Sequence, residues 1–241
     1  MTGGVRLGLV DSGLSDRHRD AVRAGRRFVA DDDGGLHQGP VTPDLMGHGG
    51  AVADIILHHA PGIRLCNAQV FDARGVTTAA TVAAAIDWLR GHGVDVISLS
   101  LGLQNDRTVL RAACARAVAE GVVLVAAAPA QGRAVYPASY PGVIRATGDA
   151  RCAATEISFL DSAQADFGGC PRILEEALEE AREEASDGGP NRSPRIGGAS
   201  MGCAHVAGQV AAYLDRGGDK THVRQWLVSQ AKYRHSERRT K

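Results

Sequence analysis

The sequence lacks a net charge, a long apolar segment and a large aromatic content. Its 27 Lys and Arg residues balance its 27 Asp and Glu residues, so it has no overall basic excess of the kind that drives nucleic-acid binding. No apolar run approaches the roughly 20 residues that a membrane-spanning helix requires. We therefore expect neither nucleic acid nor a membrane as a partner, and function must reside in a localised site.

The cysteines indicate neither disulfides nor a zinc site, since the five of them are odd in number, widely spaced and never part of a C-x-x-C pair. The N-terminal residues also lack the charged region, the long apolar region and the cleavage site of a secretory signal. We expect a cytoplasmic protein with reduced thiols, no metal and no cofactor. Its carboxylate-rich loop at residues 31–34 is more typical of a solvated turn than of a calcium site.

Apolar strands alternate with amphipathic helices along the chain. This alternation predicts right-handed crossovers and an α/β fold, with a doubly wound, mostly parallel sheet that has helices on both faces. No internal repeat or linker divides the 241 residues, so we expect a single domain. Strands are predicted at 5–10, 63–70, 95–101, 122–127 and 143–146, and helices at 49–59, 76–91, 108–120, 197–214 and 221–231.

Two charged segments have a structural and a functional interpretation. Residues 171–185 contain six glutamates and strong helix formers. This segment could bind a basic leader or partner, but a solvated helix face is the favoured interpretation. The basic tail from about residue 234 is expected to be solvated as well.

Three reactive side chains lie where an apolar element meets a glycine-flanked turn. Asp11 ends a strand, whereas His48 and Ser200 each begin a helix. Each of them alone is typical of a turn, loop or N-cap residue. In open α/β sheets, however, strand ends and helix N-termini meet at one edge, so the three could converge on one site.

The segments 9–14, 47–53 and 198–208 resemble the three signature segments of the subtilisin-like serine peptidases, in that family's order. Residues 95–102 and 121–128 resemble the strands that line the family's substrate cleft, and 136–144 resemble the loop that follows. The resemblance covers about residues 5–215. It implies a subtilisin-like three-layer sandwich and a peptide or protein substrate.

By that resemblance, Ser200 would be the nucleophile, His48 the general base and Asp11 the carboxylate that orients the imidazole. The Ser200 N–H, at a helix N-terminus, would donate to the oxyanion. His205 and Cys203 are interpreted as packing residues. The resemblance also implies a set of substrate-binding residues: Ser98, Ser100, Leu101, Gly102, Ala128, Pro129 and Ala130.

The sequence departs from the family at the oxyanion turn. Where the family has Ala-Gly-Asn, this chain has Ala128, Pro129 and Ala130, so the asparagine amide is missing. Loss of such a donor costs about 10²–10³-fold in turnover, a value measured on a member of that family. Either Gln131 donates in its place, or the Ser200 N–H acts alone, or catalysis is lost. We expect activity to be retained.

The resemblance also bears on the biological role. Because the strand at 5–10 begins almost at once, we expect no inhibitory pro-segment, and an unsecreted protease without one requires a narrow specificity. Bacterial relatives of this kind are similar to maturation proteases that remove leader peptides from modified peptides, including the small subunit of quinohemoprotein amine dehydrogenase. A leader-bearing precursor, and a maturation partner protein, are therefore the expected partners.

Two other functions compete with this one. A catalytically impaired subtilisin fold could bind a peptide as an added strand beside residues 98–102. A nucleotide-binding protein of the doubly wound class is disfavoured, since the turn after Asp11 lacks a G-x-G-x-x-G pattern and no P-loop occurs.

Overall fold

A ten-stranded, mostly parallel sheet forms the centre of the protein and confirms the predicted α/β class. The computed structural model describes residues 4–31, 33, 35–71, 75–174 and 197–235. The strands are β1 (Arg6–Asp11), β2 (Val22–Ala30), β3 (Leu36–Gly39), β4 (Arg64–Gln69), β5 (Val96–Leu99), β6 (Val123–Ala127), β7 (Ile144–Gly148), β8 (Ile157–Phe159), β9 (Phe167–Gly169) and β10 (Tyr233–Arg234). Their order is β10-β8-β9-β7-β6-β5-β1-β4-β2-β3.

Helices cover both faces of this sheet, as the alternation predicts. They are α1 (His48–His59), α2 (Ala79–Gly91), α3 (Thr108–Ala119), α4 (Ala199–Asp215) and α5 (Val223–Gln230). Helix α2 begins three residues later than predicted because the Thr78 hydroxyl caps it, accepting a hydrogen bond from the Thr81 N–H at 3.1 Å. In the described ranges, no helix combines the length and apolar character needed to cross a bilayer.

Successive residues of the central strands face opposite layers of the core. In β6, Val125 belongs to the apolar cluster of α1 and α4, whereas Leu124 and Ala126 belong to that of α2 and α3. All three side chains are fully buried. A strand buried on both faces appears in the sequence as a continuous apolar run, which is why the central strands were predictable.

The strands near the sheet edges escaped prediction. Strand β2 pairs with β3 in an antiparallel hairpin, and most of its residues are exposed or half-buried, so arginines and a glycine interrupt its apolar pattern. Strands β8 and β9 are three residues long and antiparallel, which is too short for a periodicity to be recognised. Residues 171–174 are non-helical, and the rest of the predicted acidic helix, like the tail beyond 235, lies outside the described residues.

Helix α4 packs unusually close to the sheet. A Cβ atom at Gly202 would lie 2.0 Å from the backbone oxygen of Thr147, at the end of β7. Any side chain there would overlap the main chain of the strand, so glycine is required for this approach. The close approach holds the first turn of α4 against the end of β7.

A pair of histidines joins α4 to α1. His59 Nε2 and His205 Nδ1 are 3.0 Å apart, and His205 is fully buried, consistent with its predicted packing role. Burial lowers the pKa of His59 to about 3, assisted by the repulsion that two charged rings of this pair would exert on each other, and burial likewise lowers the pKa of His205 to about 4. Both rings are therefore neutral at pH 7.

We predict that Gly202→Ala destabilises the protein by about 1–3 kcal/mol, because the added methyl group overlaps strand backbone rather than a movable side chain. Urea unfolding followed by circular dichroism measures this loss.

The matched control is Gly91→Ala at the end of α2, where a Cβ would meet no heavy atom within 4 Å. Its expected effect is neutral or slightly stabilising, since alanine favours helix. Equal stability of the two variants would contradict the close-packing argument.

Candidate active site

The predicted site residues meet at the carboxyl edge of the sheet, where β1 and β5 end. Val10 lies opposite Leu99 in the parallel pairing of these strands, so Asp11 and Ser100 follow side by side at this edge. Ser200, the second residue of α4, contacts Ser100. The topology thus brings the segments of Asp11, His48 and Ser200 together, as expected from the sequence.

Asp11 and His48 form a short hydrogen bond. Asp11 Oδ1 lies 2.7 Å from His48 Nδ1 and also accepts the Ser12 N–H at 2.7 Å. Asp11 is fully buried, whereas the His48 side chain remains 20% exposed. Asp11 Oδ2 has no hydrogen-bond partner among the described residues. This geometry holds Nδ1 towards the carboxylate and leaves Nε2 available for another group.

Ser12 and Gly49 hold the start of α1 against the segment that follows β1, through a hydrogen bond and a close backbone contact. The Gly49 N–H donates to Ser12 Oγ at 2.9 Å, and a Cβ on Gly49 would lie 2.1 Å from the backbone oxygen of Gly13. Gly47, with φ 68°, turns the chain into the helix in a left-handed conformation that glycine tolerates. These contacts position His48 at the first turn of α1.

Asp44 is a positioning residue that sequence reasoning missed. Its Oδ1 accepts the N–H groups of Met46 and Gly47, each at 3.0 Å, and its Oδ2 accepts the Gly50 N–H at 3.1 Å. It thereby satisfies otherwise unpaired donors at the start of α1. An aspartate shortly before a glycine-rich helix start is a capping signal that could have identified it.

The environment of His48 raises its pKa above the ordinary 6.5. Burial acts in the opposite direction, but the charge of Asp11, its hydrogen bond and the charge of Asp44 outweigh it. The site therefore stabilises the imidazolium form of His48, the form that a general base reaches after accepting a proton.

Ser200 makes a reciprocal contact with Ser100. Ser200 Oγ donates to the Ser100 backbone oxygen at 3.2 Å, and Ser100 Oγ donates to the Ser200 backbone oxygen at 3.4 Å. No hydrogen bond within the described part of the chain joins Ser200 to His48. The serine hydroxyl thus rests on the end of β5, beside the aspartate–histidine pair.

The predicted substrate-binding residues divide into two groups. Ser98 is fully buried within β5, paired with β1 on one side and β6 on the other, so it cannot contact a substrate, and that prediction is corrected. Ser100, Leu101 and Gly102 follow the strand end. An added peptide strand has no open edge at 98–99 for the same reason.

The turn after β6 contains the remaining candidates. Ala128 is buried, and its N–H donates to the Ala146 oxygen at 2.8 Å. Pro129 is half-buried, whereas Ala130 and Gln131 are exposed. The Gln131 amide forms no hydrogen bond to any residue in the described ranges. It is therefore free to donate elsewhere.

A cavity of about 310 Å³ opens beside this turn. It lies between the loops that follow β5 and β6. Its walls are Gln104, Pro129, Gln131, Arg133, Ala134 and Val135.

The cysteines show no features of reactive or metal-binding groups. All five are free and buried, and burial raises the pKa of the Cys203 thiol to about 12. Among the residues that the structure describes, no cluster of three or more histidine, cysteine or carboxylate side chains is arranged to hold a metal ion.

Comparison with known proteins shows which family the chain belongs to. A profile of the Subtilase family (Peptidase_S8) matches residues 2–240. Subtilisin DY of Bacillus licheniformis is 30% identical over 228 residues, which cover 88% of this chain and 77% of that protein.

Two solved structures share the fold, each with a TM-score of 0.64 and 20% sequence identity. One is a lanthipeptide protease, matched over 92% of this chain and 79% of its own. The other is a cold adapted subtilisin-like serine proteinase, matched over 95% and 85%. The family profile and the identity to Subtilisin DY together decide the assignment: the chain belongs to the subtilase family of serine peptidases, which are hydrolases.

Proposed function

We propose that this protein is a serine endopeptidase in which Asp11, His48 and Ser200 form the catalytic triad. The observation that carries the proposal is the 2.7 Å bond between Asp11 Oδ1 and His48 Nδ1, at the sheet edge where Ser200 opens α4. Asp11 sets the tautomer of His48, so that Nε2 is the nitrogen that accepts a proton.

Catalysis begins when the Ser200 hydroxyl exchanges its hydrogen bond from the Ser100 oxygen to His48 Nε2. His48 then takes the proton as Ser200 Oγ attacks the scissile carbonyl, and returns it to the leaving amine. Water hydrolyses the resulting acyl-enzyme by the same proton route. The neighbouring carboxylates Asp11 and Asp44 stabilise the imidazolium formed in each step.

The oxyanion is stabilised by the Ser200 N–H and, in this proposal, by the Gln131 amide. The Ser200 N–H belongs to the first turn of α4, where backbone donors have no intrahelical partner and the helix dipole favours negative charge. Gln131 is the side-chain amide closest in sequence to the position where the family has asparagine. Its exposure and its lack of partners in the described ranges support the role.

We propose further that the substrate is a leader-bearing precursor, cleaved during maturation of a modified peptide or enzyme subunit. The supporting observation is the shared fold with a lanthipeptide protease. A partner protein that presents the precursor fits the same role.

A catalytically impaired peptide-binding module is the competing function. It is favoured by the absent asparagine at the oxyanion turn and by the Ser200 hydroxyl bonded to Ser100 rather than to His48.

We predict that a serine-directed fluorophosphonate labels the parent at Ser200 and that Ser200→Ala abolishes the labelling. Intact mass measurement detects the adduct. The matched control is Ser229→Ala, an exposed serine on α5, which should label like the parent. Labelling that persists in Ser200→Ala would refute the nucleophile, and an unlabelled parent would favour the binding module.

We predict that the labelling rate falls as the pH drops through the pKa of His48, above 6.5, because only neutral imidazole accepts the proton. Asp44→Asn keeps one oxygen that can accept the Met46 and Gly47 N–H groups and loses the acceptor of the Gly50 N–H. It also removes a charge that raises this pKa. It should therefore move the acid limb of the rate profile to lower pH.

Asp16→Asn provides the control, since Asp16 is exposed on the surface and pairs with Arg19. Its profile should match that of the parent. An acid limb that does not move in Asp44→Asn would show that Asp44 acts on α1 structure alone.

We predict that Gln131→Ala slows labelling of Ser200 by about 10²-fold, because the phosphonyl oxygen occupies the oxyanion position and loses a donor. Gln225→Ala, an exposed glutamine on α5, should leave the rate unchanged. An unaltered rate in Gln131→Ala would assign the oxyanion to the Ser200 N–H without side-chain help.

A further inference from the structure

The cavity beside the oxyanion turn contains an arginine that pairs with no other described residue. Arg133 is exposed and forms neither a hydrogen bond nor an ion pair within the described ranges. Of the other wall residues, Gln104 and Gln131 also have side-chain amides without a partner there. The cavity thus presents one guanidinium and two amides to an incoming group.

The cavity lies where it can receive the side chain of the substrate residue whose carbonyl is attacked. In the proposed reaction, the carbonyl oxygen under attack binds between the Ser200 N–H and the Gln131 amide of the turn at 128–131. Because the side chain of the same substrate residue branches one atom from that carbonyl carbon, it lies beside the turn. Pro129 and Gln131 form both the turn and one wall of the cavity.

The cavity has an apolar side and a cationic side. Pro129, Ala134 and Val135 supply the apolar surface. Val135 also packs against the segment after β5, since a Cβ on Gly102 would lie 3.0 Å from its Cγ2. The methylene stem of a substrate side chain can lie against this surface, with its polar end towards Arg133.

We propose that Arg133 makes this cavity a specificity subsite for an acidic side chain on the residue whose carbonyl is attacked. A guanidinium binds a carboxylate through two parallel hydrogen bonds, whereas an uncharged amide forms weaker ones. A lysine or arginine side chain would meet like charge there. The subsite rests on the proposed peptidase function and specifies its substrate class.

The test uses three acetyl-tripeptide aldehydes, identical except for a last residue of Glu, Gln or Leu, as inhibitors of fluorophosphonate labelling. The Ser200 hydroxyl adds across the aldehyde C=O, with Oγ bonding to carbon and the proton reaching the aldehyde oxygen through His48. The hemiacetal places the last side chain in the subsite. The Glu aldehyde should inhibit about tenfold more tightly than the Gln aldehyde.

Arg133→Gln should reduce the Glu-to-Gln ratio to about one, and added salt should reduce it in the parent, since the guanidinium is exposed. The matched control is Arg216→Gln, which alters an exposed arginine at the end of α4 and should keep the parental ratio. Neither variant removes a hydrogen bond that the described structure contains, so both are expected to fold.

Three outcomes would overturn the subsite proposal. They are equal inhibition by the Glu and Gln aldehydes, a preference for the Glu aldehyde that persists in Arg133→Gln, and no inhibition by any of the three aldehydes. Labelling of the parent at Ser200 separates these outcomes from failure of the proposed function. A labelled parent without a Glu preference refutes the subsite alone, whereas an unlabelled parent refutes the peptidase proposal.

Discussion

The contact between Gly202 and the end of β7 is the constraint on which the candidate site depends. It lets α4 lie against strand backbone at a distance that no side chain would permit and so holds the first turn of the helix at the end of β7. Ser200 precedes this contact by two residues. His205 follows it by three and is hydrogen-bonded to His59 on α1, the helix that His48 opens. This backbone contact and the histidine pair therefore join the helix that carries Ser200 to β7 and to the helix that carries His48.

The electrostatics of the site follow from the buried carboxylate of Asp11, whose lost hydration is only partly replaced by hydrogen bonds. Asp11 is fully buried, yet both of its hydrogen bonds fall on Oδ1, and Oδ2 has no partner in the described part of the chain. Burying a charge with incomplete hydrogen bonding costs stability. The same deficit makes a protonated His48 the most favourable neighbour for this carboxylate. The buried charge of Asp11 thus lowers the stability of the fold at the position where the proposed chemistry needs a negative charge.

The strands that could be predicted from the sequence are those buried on both faces. The candidate site residues that could be predicted are those that directly follow such strands. The continuous apolar runs before Asp11 and Ala128 are examples. The sequence did not predict β2, whose arginines and glycine interrupt the apolar pattern, or β8, which is only three residues long. Ser98 was misassigned since sequence does not distinguish a strand interior from its end. Asp44 was missed, and the subsite proposed at Arg133 was not anticipated, because both depend on loops whose course cannot be deduced from periodicity.

The departure at Pro129 and the arginine beside it have a common consequence for specificity. The family's oxyanion asparagine is absent, and the donor proposed in its place, Gln131, lies one residue further along an exposed turn. With this arrangement, the reaction would rely more on accurate placement of the scissile carbonyl. Contacts between the enzyme and other parts of the substrate can position the scissile carbonyl, since their binding energy can be used to orient the reacting group. A carboxylate held by Arg133 would supply such a contact. Under these two proposals, peptides without that carboxylate would bind loosely and react slowly, so the altered oxyanion turn and Arg133 would together favour selected substrates.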